Sequence, residues 1–212
     1  DGSGGTSPPK DTGSSSAETG SPDSGRSDTA QPGDTSAPTD TAGADTGDGP
    51  RICSETPDNI EGPFWVRGVP VRSDLDLYGD SGPELTISGQ VTDLACTPIP
   101  GAIVEIWQAN PDGQYDNHSA EKRYRGQLAA DADGRYSFHT LKPGWYLNGP
   151  RYRPSHIHIK IWVEGRELKT TQLYFEGDPY IEGDAFVVDG LILPLSGDET
   201  SGFTGRFDFA VG

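Results

Sequence analysis

The sequence predicts an all-β domain, an antiparallel β-sandwich, behind a disordered amino-terminal leader. Three observations point there. Apolar residues beyond position 51 come in short alternating runs, the period of half-buried strands. Pro and Gly interrupt those runs roughly every ten residues, the spacing of turns in a sandwich. Residues 1–50 contain no aromatic, Leu, Ile or Val.

The leader is Gly, Ser, Thr, Asp, Pro and Ala almost throughout. Such a stretch buries too little apolar surface to offset the entropy of ordering it. Its recurring Asp-Thr pairs (Asp11-Thr12, Asp28-Thr29, Asp34-Thr35, Asp45-Thr46) are compositional bias rather than a structural repeat. We therefore expect a disordered tether over 1–50 and one folded domain over 51–212. About 160 residues suffice for one core and would crowd two.

Charge narrows the partners. The leader carries nine acidic and two basic residues, a net of −7, and the remainder carries −10, for a formal total of −17. An acidic surface disfavours nucleic acid and anionic membranes. No apolar run approaches the length of a transmembrane helix. The chain starts at Asp1 rather than Met, which suggests processing. A spacer-like leader then suggests an extracytoplasmic protein, secreted or lipid-anchored on a bacterial surface. Cys53 and Cys96 are expected to form a disulfide where the tether meets the domain; two separate buried thiols are the alternative.

Taken in order, Phe64-Trp65-Val66 reads as an outer strand or flap. Glu84–Thr92 reads as a strand. Ala102–Gln108 reads as another, with Ile103, Glu105 and Trp107 on one face. Asp133-Gly134 is a hairpin turn feeding a strand over Arg135–Thr140. His156–Val163 and Glu167–Phe175 follow as strands. Asp198–Gly205 reads as a loop, and Gly205–Val211 as the last strand.

The segment Arg153-Pro154-Ser155-His156-Ile157-His158-Ile159-Lys160-Ile161 carries the most chemistry. Side chains at i and i+2 of a strand share a face. His156 and His158 therefore stand side by side, and half of the chain's four histidines are here. Such a pair is either a polar strand face or a metal grip. Imidazole alone does not choose among zinc, copper, iron and nickel. Two turns, Asn110–Tyr115 and Lys142–Tyr146, each end in a tyrosine at a strand end. Tyr115 and Tyr146 are half-buried aromatics on their own; at one end of a sandwich, four such side chains can converge.

Glu61-Gly62-Pro63-Phe64, Pro100-Gly101-Ala102, Val104–Asn110, Gly113-Gln114-Tyr115, Arg125-Gly126, Asp133–Phe138, Pro143–Tyr146, Arg153–His158 and Thr171–Phe175 come in an order that resembles the intradiol ring-cleavage dioxygenases. These are the catechol, hydroxyquinol and protocatechuate dioxygenases. The resemblance covers residues 53–212. It implies a non-haem Fe(III) held by Tyr115, Tyr146, His156 and His158, with water or hydroxide completing the sphere. Two tyrosinates and a hydroxide balance the three positive charges, and zinc sites rarely use Tyr. It implies a catechol and O2 as substrates and a muconate-type diacid as product. Tyr146 matches the ligand that leaves and serves as a base, and Tyr115 the one that stays. Arg153 matches the charge that stabilises the reacting ring, and Gln172 a polar neighbour of the iron or substrate. Trp107 and Trp145 are expected in the core or a pocket wall. His118 and His139 match no family motif, and no metal role is expected of either.

The chain departs from the family in two places. The stretch from Tyr146 to His156 is shorter than in protocatechuate enzymes. The amino-terminal helical part of many catechol dioxygenases has no counterpart, so the chain looks like an exported single-domain member, and no oligomeric state carries over. Two other functions stay open on sequence. One is a non-catalytic surface-binding module, since fold does not fix function. The other is a metal hydrolase using His156 and His158, which needs a carboxylate base that the segment lacks.

Overall fold

A computed structural model describes residues 52–212, and the expected disordered tether lies outside the described residues. The strands are β1 (Glu84–Thr92), β2 (Ile103–Gln108), β3 (Arg125–Ala129), β4 (Arg135–Leu141), β5 (Tyr146–Asn148), β6 (Arg151–Arg153), β7 (His156–Val163), β8 (Arg166–Phe175), β9 (Ile192–Leu193), β10 (Ser196–Asp198), β11 (Gly202–Arg206) and β12 (Phe209–Ala210). No α-helix occurs among the described residues; two 3-10 turns lie at Ile181–Gly183 and Asp189–Leu191.

One sheet sets β1 between β4 and the β11–β12 edge, with β10 outside β11. The other runs β3-β2-β7-β8-β9, and β5 pairs with β6 as a separate hairpin. The sandwich is as expected, but it is not purely antiparallel. β1 pairs in parallel with β11 and β12, and β8 with β9. Parallel pairing is set by long connections that leave no local pattern in a sequence.

Alternation builds the core. Leu85, Ile87 and Val91 of β1 and Tyr136 and Phe138 of β4 meet Val104, Ile106, Ile157, Ile159, Ile161, Leu173 and Phe175 of the other sheet. Each fully buried aliphatic side chain is worth about 1.5–3 kcal/mol.

The opposite face of the second sheet carries Glu105, Trp107, His156, His158, Lys160, Gln172 and Tyr174, all buried as well. A strap covers it. The Asn59 N–H donates to Thr170 O on β8 (2.9 Å), the Lys160 ammonium on β7 pairs with Glu61 (2.7 Å), Trp65 Nε1–H donates to Glu105 on β2 (2.8 Å), and the Arg72 N–H donates to Gln127 O beside it on β3 (3.0 Å). The strap thus crosses four strands in turn. Its start is pinned by Lys169 to Glu55 (2.8 Å) and by the Cys53–Cys96 disulfide, whose Cα atoms are 5.2 Å apart. Phe64-Trp65-Val66 belongs to this strap and forms no strand, which selects the flap reading.

Several local expectations change. Gly134 does sit in a tight turn (φ 71°), but the strands it joins, β3 and β4, lie in different sheets, so it makes no hairpin. The Asp198–Gly205 loop is instead the β10–β11 hairpin. Gly197 and Gly202 face each other there so closely that a Cβ on Gly197 would lie 2.1 Å from Gly202 O. Gly205–Val211 is broken at Phe207, whose carbonyl accepts from the Tyr136 hydroxyl (2.6 Å).

Candidate metal centre

The site sits where β7 meets two loops. Asn110 shapes the first loop: its side-chain oxygen accepts from the Asp112 N–H (3.1 Å) and the Gln114 N–H (2.8 Å). Glycines let the second loop close upon it. A Cβ on Gly113 (φ 77°) would lie 2.0 Å from Trp145 O, and one on Gly144 2.1 Å from Pro111 O. The Gly144 N–H donates to Asn110 O (3.0 Å). Only glycine fits this approach. Tyr115 and Tyr146 are thereby brought together, with ring centroids 5.6 Å apart. Tyr146 opens β5 rather than lying in a loop, and stands opposite Arg153 in the β5–β6 register.

The Tyr115 hydroxyl lies 3.3 Å from His156 Nε2 and 3.1 Å from His158 Nε2. The Tyr146 ring is 5.7 Å from the His156 ring. His156 donates Nδ1–H to Pro154 O (2.7 Å), which leaves Nε2 as a lone pair facing the phenol. His158 Nδ1 is buried without a hydrogen-bond partner among the described residues. Its ring stacks on Trp107, centroids 4.7 Å apart, so Trp107 is a wall of the site. Phe64 stacks on Tyr115 from the strap (4.2 Å).

Burial lowers the His156 pKa to about 3, with Arg153 adding to the effect. Burial, then His156, Arg153 and Arg125, hold His158 well below its usual value. Both rings are neutral at neutral pH. Burial, then the neighbouring Tyr146, pushes the Tyr115 phenol well up. Burial also raises Tyr146, opposed by the Arg153 charge. Neutral imidazole lone pairs and phenols that ionise only beside a cation suit a hard, highly charged metal. No three His, Cys, Asp or Glu side chains gather at ligating distance among the described residues.

Arg153 is buried, not on a surface loop. Its Nε donates to Asp184 (2.6 Å), and its Nη2 to Gln172 Oε1 (3.2 Å) and the Tyr174 hydroxyl (3.0 Å). Gln172 is fully buried and also donates Nε2–H to Ile60 O (2.7 Å), which ties the strap to the site. Sequence reasoning missed Asp184 and Tyr174. Tyr174 was legible as His156's partner across the β7–β8 pair, two residues beyond Gln172. Asp184 lies in a loop without periodicity. Trp145 is 47% exposed and donates Nε1–H to Asp178 (2.8 Å), away from the core. His139 pairs with Asp74 (3.2 Å), and His118 lies in a turn accepted by Asp116.

A family model described as "Dioxygenase" matches residues 60–210. The chain is 33% identical over 171 residues to a chlorocatechol 1,2-dioxygenase of Rhodococcus opacus, covering 68% of this chain and 66% of that protein. It is 35% identical over 159 residues to catechol 1,2-dioxygenase 2 of Acinetobacter lwoffii, covering 65% and 58%. The chain thus spans about three-fifths of the length of the curated relatives it matches. Among solved structures, it superposes on the dioxygenase domain of a dioxygenase–carbohydrate-binding protein fusion from Streptomyces sp. SirexAA-E, with TM-score 0.68, 36% identity, and 74% and 97% of the two chains covered. Catechol 1,2-dioxygenase of Pseudomonas arvilla C-1 gives TM-score 0.66, 31% identity, and 76% and 63%. Motif order, sandwich and the matched span agree that this chain belongs to the intradiol ring-cleavage dioxygenase family.

Proposed function

We propose that residues 51–212 form an iron(III) dioxygenase domain that opens a catecholic ring between its two hydroxylated carbons, giving a muconate-type diacid. The observation that carries this is a buried phenol oxygen held 3.1 and 3.3 Å from two neutral imidazole nitrogens. The three donor atoms converge on one another in a buried site, and once the phenol ionises they offer an anion and two imidazole lone pairs to a single cation. Tyr115, Tyr146, His156 and His158 would hold the ion. The family typically uses non-haem Fe(III). When bound, ferric iron draws electron density from a catecholate and makes its ring reactive toward O2.

The chain's own residues supply the rest. Tyr146 accepts a catechol proton at its phenol oxygen; burial raises its pKa, which makes its phenolate the stronger base. Arg153 offers a fixed positive charge beside that oxygen, where negative charge moves between phenol and ring. Gln172 spends its amide on orienting Arg153 and the strap. Phe64 and Trp107 keep water from Tyr115 and His158. The named relatives act on catechol and chlorocatechol, and substituted catechols are the substrate class we assign here. The Cys53–Cys96 disulfide favours an oxidising, extracytoplasmic setting.

Oxygen uptake by the iron-loaded protein tests this, over catechol, chlorocatechol and hydroxyquinol. One O2 should disappear per ring opened, with a diacid as product. Absence of uptake with every catechol, in protein that holds iron, would contradict the reading.

A further inference from the structure

We propose that Asp184 is a positioning residue for ring cleavage: its carboxylate, buried against Arg153, fixes the guanidinium in the one orientation that faces Tyr146. This rests on the reading of Arg153 given above and goes beyond it.

Asp184 and Arg153 side chains are each only 4% exposed. They are 31 residues apart in sequence and meet through two nitrogens, Nε at 2.6 Å and Nη2 at 3.5 Å. An Asp–Arg fork of this kind fixes the plane of the guanidinium, not only its place. Gln172 and Tyr174 take up the remaining reach of Nη2. Of the three nitrogens only Nη1 is left without one of these acceptors, on a side chain opposite Tyr146 in the β5–β6 register. Residues directly opposite each other in an antiparallel pair share a face, so the Tyr146–Arg153 pairing puts the two side chains on one side of the β5–β6 hairpin.

The loop that brings Asp184 is itself built around this contact. Asp184 Oδ1 accepts from the Phe186 N–H (2.8 Å), and Phe186 O accepts from the Tyr174 hydroxyl (3.2 Å) and from Asn59 Nδ2 (2.7 Å) on the strap. The Phe186 ring lies 4.9 Å from the Arg153 guanidinium carbon. Arg153 is therefore clamped between a carboxylate, a phenol, an amide and an aromatic face. A surface salt bridge would let a long side chain swing; a buried one in this frame does not. Groups that orient a reacting residue from behind, without touching substrate, typically change activity by about 10–100-fold when lost.

The test is Asp184→Asn, which keeps the shape and removes the charge. Iron content, visible band, kcat, KM and anaerobic catechol affinity are measured in the wild-type chain, in Asp184→Asn, in Arg153→Met and in the double variant. Asp184→Asn should keep its iron and bind catechol within about threefold of wild type, while kcat falls about 10–100-fold. In the Arg153→Met background the same change should cost less than about twofold, because two residues acting through one group are not additive. A kcat within about twofold of wild type overturns the proposal, as does an equal loss with and without Arg153. If Asp184→Asn does not fold, Tyr174→Phe decides: it removes one acceptor of Nη2 without stranding a charge, and an unchanged kcat there overturns the clamp. A wild-type protein that binds iron and cleaves no catechol fails at the proposed function; an active wild type with an indifferent Asp184→Asn fails only here.

Discussion

On β7, Ile157, Ile159 and Ile161 face the sheet of β1 and β4 while His156, His158 and Lys160 face the strap, and both rows are buried. The first row needs only shape, since apolar burial is non-directional. The second needs a partner for every polar atom. Lys160 has Glu61 and Glu167 (2.7 and 2.6 Å), and His156 Nδ1 has Pro154 O. The imidazoles turned to Tyr115 fall short of the rule: both Nε2 atoms crowd one phenol oxygen, and His158 Nδ1 has no partner among the described residues. One face of the strand stabilises the fold, and the other is satisfied everywhere except at the proposed iron ligands.

This contrast can be broken from either side. The largest effect is expected on the polar face. His158→Ala or Tyr146→Phe should lower turnover at least about a thousandfold, roughly 4 kcal/mol of transition-state stabilisation, and Tyr146→Phe should do so with little shift in the thermal melting of the iron-free protein. An unchanged turnover rate in both variants would contradict the assignment. Next comes the cover of that face. Replacing Cys53 and Cys96 together by Ser should cost on the order of 4 kcal/mol, because the bond closes a loop with a separation of 43 residues. Urea unfolding measures it, and amide exchange should rise first in the strap rather than in β1. The apolar face then gives the converse of the histidine variant. Ile159→Ala should cost about 2–5 kcal/mol by urea unfolding, with iron bound per folded molecule unchanged.

The most gradual effect is set by pH. The folded pKa of His156 is about 3, and His158 is also well below its usual value. Between that value and about 6.5 the unfolded chain binds protons that the folded chain does not. Stability contributed by the neutral rings is therefore complete above about pH 6.5 and is lost as pH falls. Each ring should remove up to about 1.4 kcal/mol per pH unit in the iron-free protein. Urea midpoints at pH 7 and pH 5 check it, and His156→Asn should flatten the slope.

Much of this was legible because period and turn chemistry are local. Alternation in His156–Val163 separated the histidine face from the isoleucine face correctly, and the Pro-Gly and Asp-Gly turns marked the connections that lead into Tyr115 and Tyr146, although Tyr146 itself opens β5. What escaped was set at a distance. β3 has a Gly and an Arg in its five residues and is a strand because β2 pairs with it. β9 is two residues held in parallel by β8. Asp184 shows no pattern in its own loop; its meaning comes from the buried guanidinium it meets. Gln172, by contrast, stands in the Thr171–Phe175 motif, and its bonds to Arg153 and to Ile60 O under the strap explain why an amide stands on a strand there.

The most direct measurement is the visible absorption spectrum of the chain loaded with iron(III). Phenolate oxygens on a ferric ion give a broad charge-transfer band and a red-brown colour, which Tyr146→Phe should shift and weaken. A colourless protein that nevertheless holds stoichiometric iron would show that the tyrosines are not ligands, and the account of this site would be wrong.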